Sequence, residues 1–160
     1  MTNVTSATEL DSHANSQVVG CNAEIIEDTG KVVHVSGFTE KLGKPLTVPV
    51  VTAAVIYDCG VTGESHVLII NNALYIKDMV VNLIPPMMMR LAGLIVDECP
   101  KFLANSPSET NHSIYFEEHD LRIPLHLKGT ISYIPTRRPT MHELRVNEEE
   151  YLLMTPSTMH

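Results

Sequence analysis

Short runs rich in Val, Ile, Thr and Tyr alternate with Gly, Asn, Asp and Pro along most of the chain, at 17–19, 23–26, 31–35, 46–56, 65–70, 73–76, 82–84, 94–97, 113–117, 121–127 and 130–134. Branched and aromatic side chains pack well on a pleated surface, so these runs predict strands, and their density predicts an all-β chain. Glu27-Asp28-Thr29-Gly30 parts two of the runs and predicts a hairpin turn, as do 58–64, with two glycines, and Glu117 to Asp120. The first half reads as a series of hairpins. Leu121, Ile123, Leu125 and Leu127 alternate along one apolar face, and His34 and His126, set among aliphatics, are predicted at strand positions on the edge of the core.

Two stretches break the period of two. Residues 85–94 carry helix formers after a proline start and a glycine near the end, which predicts one helix of about two turns. Met87, Met88 and Met89 on it are predicted to fill core rather than to form a peptide-binding surface. Residues 139–151 open with Thr140 and Glu143 in capping-box spacing and predict a second, exposed helix. The segment 99–112 is turn-rich and reads as a loop, and no internal repeat or low-complexity tract is visible.

Composition narrows the function classes. At 160 residues and 44% apolar, the chain suits one compact domain with a core, plus a small appendage. The formal charge is −8 and the 11 basic residues are scattered, Arg137-Arg138 excepted, which argues against nucleic acid as a direct ligand. The polar start lacks a basic region followed by an apolar one, so the expectation is an intracellular, cytoplasmic protein. Pro49, Pro85-Pro86 and Arg90 interrupt the most apolar stretches, so no membrane span is expected. Cys21, Cys59 and Cys99 are too far apart for a metal knuckle and predict buried, reduced thiols. The eight histidines show no HxH, HxxxH or Cys/His spacing, so no metal or other cofactor is expected. Residues 135–140 read as a solvated linker rather than a site for an acidic partner, and no GxSxG elbow supports a serine nucleophile.

One carboxylate stands at the end of a short apolar run. Thr8-Glu9-Leu10 leads into Asp11-Ser12-His13-Ala14-Asn15, and much later Ala73-Leu74-Tyr75-Ile76, a turn, Asn82-Leu83-Ile84 and the first predicted helix follow in order. This succession resembles the retropepsin-like aspartic proteases, especially those of Copia-type retrotransposons. The family signature Asp-Thr/Ser-Gly-Ala corresponds to Asp11-Ser12-His13-Ala14, and its second signature, an apolar strand, a turn, Asn with two aliphatics and a helix, corresponds to 73–93. The likeness covers residues 8–99 of 160.

The resemblance implies a retropepsin-like closed β-barrel with one short helix in residues 1–99, followed in 100–160 by a C-terminal β extension and terminal helix of unassigned role. It implies an aspartic endopeptidase that processes a retroelement polyprotein, with a polypeptide substrate, no cofactor and a homodimeric state. Two like charges held close cannot both ionise, so the Asp11 carboxylates of two copies would share one proton across a two-fold axis. The ionised member takes a proton from a water that attacks the peptide carbonyl, and the protonated member donates to its oxygen. By the same resemblance Ser12 hydrogen-bonds across the axis, His13, Ala14 and Asn15 line the substrate cleft, and 37–45 forms a flap that closes over the peptide.

The chain departs from the family pattern at three places. His13 stands where the family has glycine, Pro85 follows Asn82-Leu83-Ile84 where glycine is common, and ten residues precede Asp11, too few for the N-terminal strands that help viral enzymes dimerise. Strands within 100–160 are therefore expected to extend the sheet or cover an edge left open there. The second reading is a catalytically inactive β-barrel module that binds peptides or self-associates. Asp28-Thr29-Gly30 matches the signature more literally, yet its charged flanks Glu27 and Lys31 predict a solvated turn.

Overall fold

The computed structural model describes residues 6–35 and 46–157, so the segment 37–45 read as a flap lies outside the described residues. The chain is predominantly β: β1 (Ala7–Leu10), β2 (Val18–Val19), β3 (Glu24–Val35), β4 (Leu46–Asp58), β5 (Ser65–Tyr75), β6 (Val81–Ile84), β7 (Ile95–Asp97), β8 (Ser113–Phe116), β9 (Leu121–Pro124), β10 (His126–Lys128), β11 (Ile131–Pro135) and β12 (Leu152–Leu153). Two α-helices, α1 (Pro86–Leu91) and α2 (Met141–Val146), complete it. Strands β10-β11-β1-β6-β2-β5-β4-β3 form one sheet in that order, with β12 added along β5, and β7-β8-β9 form a second sheet.

The closed barrel expected from the resemblance is not formed among the described residues: the large sheet is open and ends at β10 and β3. The second sheet does the covering that closure would have done. Val96, Ile114, Phe116 and Ile123 from β7 to β9 pack in one core with Val51, Val55, Leu68, Ile70, Ile84 and Ile134 of the large sheet. On the opposite face Ala54, Ile56, Val67 and Ile69 pack with Leu144 of α2. Both faces of the β4–β5 pair are therefore buried, which is why 48–57 reads as a nearly continuous apolar run rather than an alternating one.

Residues 58–64 do turn a hairpin, closed by Cys59 N–H donating to the Glu64 carbonyl at 2.8 Å with Gly63 at φ +75°. Residues 117–120 turn between β8 and β9, with Asp120 at φ +47°. Asp28-Thr29-Gly30 does not turn. β3 runs straight through it with a bulge, Asp28 facing Val51 and Val32 facing Pro49. Proline has no N–H for the ladder, and the neighbouring strand accommodates that gap by looping out, with Gly30 N–H on Asp28 Oδ1 at 2.9 Å. A second slip, at Asn72 with φ +52°, joins the predicted runs 65–70 and 73–76 into the single strand β5.

α1 has its proline start, ends before Gly93 at φ +92°, and buries Met88 and Met89 while Met87 stays exposed. α2 is shorter than the 139–151 expected, but its capping box is formed: Thr140 and Glu143 each bond the other's backbone N–H. Among the described residues no helix is long and apolar enough to cross a membrane.

Three expectations about side chains are corrected. Cys21 and Cys99 are exposed and Cys59 is half-buried, all free, because each sits in a turn or at a strand end rather than in a strand interior. His34 and His126 lie on strands, β3 and β10, as expected, but face solvent rather than the core edge, the latter against the Tyr133 ring on β11 with centroids 5.6 Å apart. Residues 135–140 are not a solvated linker. Arg137 exchanges two backbone hydrogen bonds with Ile56 of β4, and its guanidinium bridges Asp58, at 2.7 and 3.1 Å, and Glu143, at 2.8 and 2.6 Å.

Arg137 holds the Glu143 carboxyl down at about 2, against an ordinary 4.5, and lowers that of Asp58. A depressed folded value contributes stability that is complete above 4.5 and lost as the pH falls toward 2. Arg137→Ala should therefore cost about 1 kcal/mol at neutral pH, a value limited by solvent screening of this half-exposed pair, and should flatten the acid dependence. Urea midpoints measured across that pH range check both.

The C-terminal third closes the edge beside the N-terminus. β11 runs antiparallel to β1, Ala7 facing Pro135 and Glu9 facing Tyr133, while β6 runs parallel on the other side. β7 pairs with β8, so pairing and core both run across position 99.

Candidate active site

β1 and β2 follow one another in the chain yet are not neighbours: β6 lies between them, parallel to β1 and antiparallel to β2. The loop 11–17 must therefore cross the end of β6. Asp11 starts it, and its N–H donates to the Ile84 carbonyl at 3.1 Å, adding one bond to the β1–β6 ladder.

A buried polar row anchors this crossing. The Asn82 side chain on β6 is fully buried; its Oδ1 accepts from Gly20 N–H at 2.9 Å and its Nδ2 donates to Thr8 Oγ1 at 3.3 Å. Thr8 Oγ1 in turn shares a hydrogen bond with Thr136 Oγ1 at 2.8 Å. Buried polar groups persist only when paired, so this row fixes the register of β2, β6, β1 and the chain leaving β11 together. Gly20 is required by contact, since a Cβ there would lie 2.1 Å from the Met79 carbonyl oxygen. At the loop's far end Gln17 is fully buried, its Nε2 donating to the Asn71 carbonyl.

Within the loop, His13 N–H donates to Asp11 Oδ1 at 3.0 Å and Ala14 N–H to the Asp11 carbonyl at 3.3 Å. The bond to the carboxylate needs only a backbone N–H at position 13. His13 has no positive φ and its ring is exposed, so neither backbone conformation nor packing demands glycine there.

Asp11 is half-buried and lines a cleft of about 470 Å³ together with Leu10, Ser12 and His13. The facing walls are the segment from Glu98 to Leu103 and the β10–β11 turn from Leu127 to Ser132. Phe102 and Leu103 are 77% and 65% exposed, which gives the carboxylate an apolar rim. Glu98 is tied to Arg90 at 3.4 Å. Ala14 is half-buried and Asn15 exposed, and neither lines the cleft. Asp28 is exposed on β3, at the opposite end of the sheet, where its carboxylate caps its own bulge. No group of residues able to hold a metal ion is found among the described residues.

Sequence reasoning missed the walls opposite Asp11. The Phe102-Leu103 pair, apolar inside a polar turn-rich segment, was the available signal. No protein-family model, curated protein or solved structure matches the chain.

Proposed function

We propose that the chain is a retropepsin-like aspartic endopeptidase of a retroelement polyprotein, active as a homodimer in which each copy supplies one Asp11. The observation that carries the reading is the crossing itself: the loop bearing Asp11 crosses the end of β6, its first residue bonded to Ile84 and the chain on either side of it tied to Asn82 through Thr8 and Gly20, with the carboxylate lining an apolar-rimmed cleft. A loop held at both ends keeps its carboxylate in one place, which proton transfer to a bound water requires.

One Asp11 takes a proton from water while the resulting hydroxide bonds to the peptide carbonyl carbon; the Asp11 of the second copy, protonated, donates to the carbonyl oxygen. Collapse of the diol breaks the C–N bond: one diol hydroxyl returns its proton to the second Asp11, and the proton held by the first carboxyl passes to the leaving amine. Ser12, exposed next to Asp11, is in this proposal the residue that hydrogen-bonds across the two-fold axis.

The exposed rim also favours the inactive peptide-binding module. The two readings part on one experiment. The protease reading expects the purified chain to sediment as a dimer at tens of micromolar, to cleave members of a peptide library at about pH 5, where a carboxylate pair shares one proton, and to be blocked by a statine-type inhibitor. A dimer that binds peptides without cutting them supports the module, and a strict monomer removes the paired carboxylates altogether.

A further inference from the structure

We infer that His112 is a positioning residue for the Asp11 cleft, acting in its neutral form through Ser132 to fasten the cleft wall against the second sheet. His112 lies just before β8, is 7% exposed, and its Nε2 shares a hydrogen bond of 2.9 Å with Ser132 Oγ on β11. Ser132 is itself buried and lines the Asp11 cleft. The pairing of Glu9 with Tyr133, continued by one residue, sets Ser132 beside Leu10, the residue before Asp11. The His112–Ser132 bond is thus a direct link from the β7–β9 sheet to the strand flanking the aspartate.

The position is held by more than one constraint. His112 has φ +53°, a left-handed conformation that a side-chain-bearing residue keeps only where its surroundings impose it, and its carbonyl accepts from Leu125 N–H at 2.8 Å. The neighbouring Asn111 Nδ2 donates to Asp97 Oδ2 at 3.2 Å, tying the same corner to β7.

Burial pushes the His112 ring below its ordinary value of 6.5, assisted by the positive charges of His126 on β10 and Lys101, and opposed by Asp97 on β7 and Glu98 after it. A depressed folded value means that the neutral ring contributes stability that is complete above 6.5 and lost as the pH falls through the folded value. In acid the ring must carry a charge in a site with little water. The cost is that of the buried charge, since a protonated Nε2 can still donate to Ser132 Oγ; opening the corner to water relieves it, and the wall beside Asp11 that Ser132 forms loosens with it. For catalysis this rests on the protease reading above and predicts an acid limb of the cleavage profile set by His112 rather than by the carboxylates alone.

The coupling is measured without activity. In the full-length chain followed by NMR against pH, the His112 ring is expected to titrate below 6.5, and the backbone amides of Leu10 and Ser12 to shift with the same midpoint. His112→Gln keeps the reach to Ser132 but cannot titrate, so that component of the amide shifts disappears, and any acid limb of cleavage moves to lower pH. Ser132→Ala keeps the titrating ring and removes the link, so the Leu10 and Ser12 response is again lost; it decides the matter should the His112 variant fail to fold. A ring midpoint at or above 6.5, no response at Leu10 and Ser12, or a response that survives either variant overturns the inference. A chain that shows the coupling and never cleaves a peptide overturns the protease reading alone.

Discussion

Asp11→Asn is expected to lower peptide cleavage by about 10³-fold or more, the scale on which general acid–base groups contribute, while leaving the fold intact. The amide is nearly isosteric, its Oδ1 still accepts from His13 N–H, and the backbone bond of residue 11 to Ile84 does not involve the side chain. What it loses is the ability to take a proton from water or to share one with a second copy. Two companions sharpen the result. Asp28→Asn, at the far edge of the sheet, should cleave as the unaltered chain does, and His13→Gly should keep activity, because position 13 serves Asp11 through its backbone N–H. Initial rates on a cleaved library member, with thermal midpoints as the folding control, give the comparison; an Asp11→Asn protein that still cleaves would falsify the carboxylate assignment.

Ending the chain at residue 99 is expected to abolish cooperative folding. Residues 1–99 contain the whole likeness to the protease family, yet without the remainder β1 loses β11 and β7 loses β8. The shared core loses Ile114, Phe116, Ile123, Leu125, Ile134, Leu152 and Met154, all buried. At about 1.5–3 kcal/mol per buried side chain this is roughly 10–20 kcal/mol, as large as the whole net stability of an ordinary domain, about 5–15 kcal/mol. The truncated chain should lack a sigmoidal melt by circular dichroism and show collapsed amide dispersion in NMR spectra. A cooperative transition in the 1–99 chain would mean that its core is complete without the C-terminal third.

Much of the architecture is legible from local chemistry. The runs that became β4, β5, β6, β8 and β9, the 58–64 hairpin and the Thr140–Glu143 cap follow from side-chain shape, glycine placement and capping geometry, all settled within a few residues. The errors share one cause. Asp28-Thr29-Gly30 has the composition of a turn, and only the pairing of β3 with Pro49 made it a bulge. Arg137 reads as solvated until Asp58, far away in sequence, is brought beside it. Among the described residues the large sheet stays open and β7–β9 pack on its apolar face, which no local pattern announces.

The same division holds at the site. Asp11 and the segment 82–84 stand out in the sequence because a lone carboxylate ending an apolar strand, and an Asn among aliphatics, are chemically unusual where they occur. That the two meet, that β6 lies between β1 and β2, and that the cleft's far wall comes from 98–103 and 127–132 was decided by the tertiary structure. Strand order and the burial of both sheet faces depend on contacts between residues far apart in the chain, as between Thr8 and Thr136, 128 positions apart. Residue type and local spacing say which segments become strands; only the packing of the whole core says which of them are neighbours.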